Sequence, residues 1–139
     1  MKVLVSPSEI KKFKRRVLKK FPNEHMELLW GKKIGKDEYQ VFLFDRIPHL
    51  GTPRTVYYDS DEFEVSRQSA EANGYVLLGS IHSHPLCQDA APSEQDYDDS
   101  LEHGEMISGI ALVEVNKNKR KKVTIRFWGP LQQVEPVYF

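Results

Sequence analysis

The stretch from Tyr75 to His84 constrains this chain more than any other. It opens with Val76-Leu77-Leu78, apolar on both faces, and a strand of that kind belongs inside a sheet with cover on both sides. It closes on His82-Ser83-His84-Pro85, where the proline stops the strand. Alternation sends residues i and i+2 of a strand to the same face, so the two imidazoles project together, roughly 7 Å apart at the backbone. A chain of 139 residues built around such a strand is expected to form a single domain over 1–139.

The surrounding segments alternate between helical and strand periods. Ser6-Pro7-Ser8-Glu9 predicts a helix start with a capping box, and Ile10, Phe13, Val17, Leu18 and Phe21 then recur at helical spacing until Pro22-Asn23. Lysines and arginines fill its other face. A surface helix of a membrane binder can look like this, but a helix lying on a sheet is the simpler reading. Met26 to Trp30 and Tyr39 to Ile47 read as a hairpin flanking Gly31 to Asp37. Asp59 to Asn73 reads as a second helix, with Asp59 and Glu62 at capping-box spacing and Gly74 behind it. Ser93 to His103 is expected to be a short polar helix. Met106 to Val115 and Val123 to Trp128 form a last hairpin around Asn116 to Lys121, with Val123, Ile125 and Phe127 alternating. Interleaved helices and strands predict an α/β domain with a mixed central sheet flanked by helices.

Composition excludes several classes. Twenty Lys and Arg balance twenty Asp and Glu, which removes the usual argument for a nucleic-acid binder. No apolar run approaches the ~18 residues of a membrane span, and Met1 to Val5 is followed by polar residues rather than a signal-peptide core. The single cysteine, Cys87, rules out an internal disulfide and fits a reducing, cytoplasmic setting. Charge is uneven locally: residues 1–20 hold eight basic side chains and only Glu9, while residues 59–105 hold twelve acids and only Arg67. Each block is read as a solvated face, as is the basic run from Lys117 to Lys122.

Chemistry is concentrated where the central strand ends. Two convergent imidazoles can bind one zinc ion, and Asp96 can supply a third, oxygen ligand. Three protein ligands leave a fourth position open, the pattern of a catalytic rather than a structural zinc. Two histidines at a strand end are a weak sign alone, and Ser93 with Asp96 also suits an ordinary helix cap. Their joint occurrence is stronger: His, His, Pro, Ser and Asp at those offsets arise in roughly one of 25,000 shuffled chains of this composition.

The pattern His82-x-His84-Pro85-x7-Ser93-x-x-Asp96 resembles the full signature of the JAMM/MPN zinc metalloproteases, in their metal-binding branch. Gly79-Ser80-Ile81 resembles that family's lead-in strand. Glu24-His25-Met26-Glu27-Leu28-Leu29-Trp30-Gly31 is similar to the family's first core strand, with Glu24 in the place of its upstream glutamate. The likeness spans about residues 1–128. It implies the MPN fold, distantly similar to the cytidine-deaminase fold, although the deaminase signature itself is absent. Glu27 stands where the family usually has a small or apolar residue, so Glu27 is a rival for the working glutamate, with Glu38 a remote third.

The resemblance implies one zinc per chain on His82, His84 and Asp96, with Glu24 as general base then general acid and Ser93 as hydrogen-bond donor to the oxyanion. It implies hydrolysis after the C-terminal glycine of a ubiquitin-like β-grasp protein, whose tail adds to a sheet edge, here assigned to Arg46 to Tyr58. No insertion separates His103 from Met106, unlike members selective for one ubiquitin linkage, which implies a simpler substrate. The alternatives are processing of a sulfur-carrier protein or of a phage or cell-wall peptide, and a catalytically silent MPN scaffold. Cys87 is read as a free loop thiol rather than a zinc contact. His25 and His49 lack ligand-like spacing and are expected at the surface or in hydrogen bonds; His103 suits a helix end.

Overall fold

The computed structural model of the chain describes residues 1–46, 49–51, 56–58, 60–84, 106–129, 133–134 and 136–138. Its elements are β1 (Lys2–Val5), α1 (Pro7–Lys20), β2 (Met26–Gly35), β3 (Glu38–Asp45), β4 (His49–Gly51), β5 (Val56–Tyr58) and α2 (Ser60–Ala72). There follow β6 (Val76–His84), β7 (Ile107–Val115), β8 (Lys121–Trp128), β9 (Gln133–Val134) and β10 (Pro136–Tyr138). Among the described residues, eight strands form one sheet in the order β10-β1-β3-β2-β6-β7-β8-β9. It is mixed: β1 runs parallel to β3 and β10, β6 runs parallel to β7, and the other neighbours are antiparallel.

A helix covers each face. On one, Ile10, Phe13 and Val17 of α1 meet Leu29, Ile81 and Phe127 of the sheet. On the other, Ala70 of α2 meets Met26, Leu28 and Trp30, and Phe63 packs against this cluster. Every residue of β2 from Met26 to Gly31 is therefore buried, which is why that run has no exposed parity. Phe13 and Trp30 are fully buried, each contributing ~1.5–3 kcal/mol of hydrophobic stabilisation. The central position expected for the Tyr75–His84 segment holds, since β6 lies between β2 and β7. Gly79 makes the close approach of β6 to β7 possible: a Cβ there would lie 1.7 Å from the Ile107 carbonyl oxygen.

Several local expectations change. The first helix begins at Pro7, but Ser6 makes no side-chain cap; its Oγ meets Ser8 Oγ at 3.1 Å, and Glu9 pairs with Lys12 instead. The first hairpin is longer than read, because Gly31 to Gly35 continue β2 and the reversal occurs at Lys36-Asp37, with Asp37 at φ 57°. The second helix spans Ser60–Ala72 and ends, as expected, before Gly74 at φ 80°, while Asp59 lies outside the described residues. Strands β1, β9 and β10 were not anticipated. Within Arg46 to Tyr58 the described strands β4 and β5 pair with each other as a separate antiparallel ribbon. The expected helix Ser93 to His103 lies outside the described residues. Among the described residues no helix is long and apolar enough to cross a membrane.

Candidate metal centre

The two histidines end β6, with His82 opposite Met26 of β2 and Ile110 of β7, and His84 opposite Leu112. Alternation gives them one face, and their rings stand 4.7 Å apart at a 57° tilt. Their Nε2 atoms converge to 2.8 Å. Two nitrogens on one tetrahedral zinc at ~2.0–2.1 Å would stand about 3.3 Å apart, so a small opening of the rings admits the ion. The donor pair fits zinc in chemistry and direction. Among the described residues no set of three or more His, Cys, Asp or Glu side chains gathers for a metal. Asp96, Ser93 and Cys87 lie outside the described residues, so of the expected ligands the structure describes His82 and His84.

The glutamates divide between the two faces. Met26 lies opposite His82, and the antiparallel pairing continues past it: Ser83 N–H donates to the His25 carbonyl at 2.9 Å, and His25 N–H donates to Ser83 Oγ at 2.8 Å. The His25 ring faces α1, with its centroid 5.9 Å from that of Phe13. Glu24, two residues before β2, is buried at 8% exposure; alternation continued beyond the strand would give it the face of His82 and His84. Glu27 lies opposite Ile81 and belongs to the other face. Its fully buried carboxylate accepts from Arg16 Nε at 2.5 Å and Nη2 at 2.7 Å, and from His25 Nε2 at 2.7 Å. Glu38 is further away still, at the β2–β3 reversal, where it faces Lys2 at 3.8 Å.

Burial pushes the Glu27 carboxyl up, but the hydrogen bonds from His25 and Arg16, together with their charges, outweigh it and hold the group below the usual glutamate range. The same bond to Glu27 raises Arg16. This network was missed in the sequence, yet a signal was present. A carboxylate inside Met26-Glu27-Leu28-Leu29-Trp30 cannot be buried without a cation, and a fork from another element is the usual solution. His25, expected at the surface or in a hydrogen bond, is buried and hydrogen-bonded.

A family model of the prokaryotic homologs of the JAB domain matches residues 7–129. The chain belongs to that family. Solved structures agree with a single JAB/MPN-like α/β domain. This JAB-domain chain is similar to a protein from Desulfitobacterium hafniense solved in solution, with a TM-score of 0.71 and 20% identity over 100% of this chain and 93% of that one. It is also similar to a JAB1/MPN domain protein from Archaeoglobus fulgidus solved by crystallography, with a TM-score of 0.62 and 18% identity over 99% of this chain and 98% of that one. At such identities the likeness concerns the fold. No curated protein matches the JAB-domain chain.

Proposed function

We propose that this JAB-domain protein is a zinc-dependent peptidase or isopeptidase that hydrolyses the bond after the C-terminal glycine of a ubiquitin-like or sulfur-carrier β-grasp protein in the cytoplasm. The observation that carries the reading is the convergence of the His82 and His84 Nε2 atoms to 2.8 Å at the end of β6. His82 and His84 would hold the ion, with Asp96 as the third ligand. Zinc, when bound, supplies the Lewis acidity that makes water a usable nucleophile near neutral pH. Glu24 takes the proton of the attacking water and returns it to the leaving amine. Its burial favours this exchange by keeping bulk water from competing for the proton. Ser93 donates a hydrogen bond to the oxyanion as the carbonyl becomes tetrahedral. The β4–β5 ribbon offers an edge outside the main sheet to which an extended tail can add.

Two measurements test this. The purified chain is expected to hold one equivalent of zinc and to release the C-terminal extension or conjugate of a β-grasp protein from its own source. A chain that holds zinc but cleaves none of those proteins overturns the substrate assignment. One that neither holds zinc nor cleaves is a silent scaffold.

A further inference from the structure

The strand pair that carries the histidines has charged groups on its reverse side that the reaction does not use. Strand β2 begins its ladder with β6 at Met26, opposite His82, yet β6 runs on to His84. Past Met26 the two are joined by the reciprocal hydrogen bonds between His25 and Ser83, at 2.8 and 2.9 Å. Ser83 is fully buried between the two histidines, so its backbone torsions aim both imidazoles. His25 is tied by its ring to Glu27 at 2.7 Å, and Glu27 to α1 by the two-pronged contact of Arg16.

We propose that Arg16, Glu27 and His25 form a positioning brace for the candidate metal centre, transmitted to His82 and His84 through Ser83. The inference rests on the metal-centre reading above. Its physical case is the location of the charges. A buried ion pair is often no more stabilising than apolar residues of the same volume, so stability alone does not explain a charged trio here. The end of a strand frays unless something holds it, and zinc demands both nitrogens at ~2.0–2.1 Å. On the β7 side the ladder runs through to His84, so the slack lies on the β2 side, where the pairing with β6 stops at Met26 and the brace holds the next residues. Its members would touch neither metal nor substrate and act through Ser83.

The test uses the full chain and three variants. Zinc affinity is measured by chelator competition, the visible spectrum is recorded with Co²⁺ in place of zinc, and the thermal midpoint is followed alongside. Ser83→Ala and Arg16→Met are expected to weaken zinc binding about 10–100-fold, the range typical of groups that support metal ligands, and to alter the cobalt spectrum. Val123→Ala, a core truncation on β8 that removes none of the brace's hydrogen bonds, is expected to lower the midpoint with affinity and spectrum intact. Wild-type affinity and spectrum in either Ser83→Ala or Arg16→Met overturn the brace, whatever the midpoints do. An equal loss of affinity in Val123→Ala also overturns it, since general destabilisation would then suffice. Arg16 is partly exposed on α1, so Arg16→Met decides alone should Ser83→Ala not fold. A wild-type chain that binds no zinc removes the metal reading and the brace together, whereas one that binds zinc beside indifferent variants removes the brace only.

Discussion

The two faces of the β2–β6 pair differ sharply within a few residues. On the α1 face, Glu27 accepts three short hydrogen bonds, and its charge is balanced by Arg16. On the α2 face at the same register, two imidazole nitrogens point at each other across 2.8 Å, and alternation continued beyond β2 would give Glu24 that face. Both sets are polar and largely buried, so burial does not separate them. What separates them is the kind of group brought together. Anion and cation meet in short hydrogen bonds on the first face, while the second brings together two imidazole nitrogens of the kind that bind zinc.

The harshest way to break this comparison is to remove the nitrogens. His82→Ala/His84→Ala is expected to abolish stoichiometric zinc, since a lone Asp96 cannot hold the ion; an equivalent retained in metal analysis would place the centre elsewhere. Next comes Glu24→Gln, which keeps shape and zinc but cannot take a proton. Its rate of hydrolysis should fall by ~10²–10⁴ with the thermal midpoint unchanged. Rapid turnover by this variant would remove Glu24 from the reaction.

Glu27→Gln sharpens the contrast from the other side. Its expected cost is about 2 kcal/mol of stability at neutral pH, through lost charge-assisted bonds. Because the folded pKa of Glu27 lies below its ordinary value of 4.5, the folded state binds fewer protons there. The stabilisation is therefore complete above about pH 4.5 and disappears as pH falls through the lower, folded value. Denaturation curves for wild type and Glu27→Gln should converge on acidification, and a gap that stays constant with pH would deny the carboxylate this role. The smallest effect belongs to Cys87→Ser, for which zinc affinity and hydrolysis should stay near wild type. A tenfold loss of affinity there would add a ligand to the centre.

Much of this was legible in the chain because alternation is a local rule. The pairing of His82 with His84 on one face needs only a strand, and Val76-Leu77-Leu78 already marked that strand as internal. The opposite parity of Glu24 and Glu27 follows the same rule once Met26 is set against His82. Strand β1 was hidden because Lys2–Val5 has four residues and draws its partners from β3 and β10, remote in sequence. Lys32 and Lys33 disguised the second half of β2 as a turn, although both are exposed strand residues paired with Gln40 and Tyr39. The Arg16–Glu27–His25 contact depends on the angle at which α1 crosses the sheet, which no periodicity encodes. Only the buried glutamate announced it.

Gly79 shows how intolerance to mutation can mislead. It carries no functional group, yet any side chain there would collide with the backbone of Ile107, an atom that no rotamer change can move. In a saturation screen scored by activity, Gly79 would rank with Glu24 and the histidines, and the ranking would be silent about why. Scoring the same library for soluble protein separates the two kinds of essential position. Substitutions at Gly79 leave the soluble pool, because they obstruct the β6–β7 seam, whereas the shape-preserving Glu24→Gln stays in it and stops working.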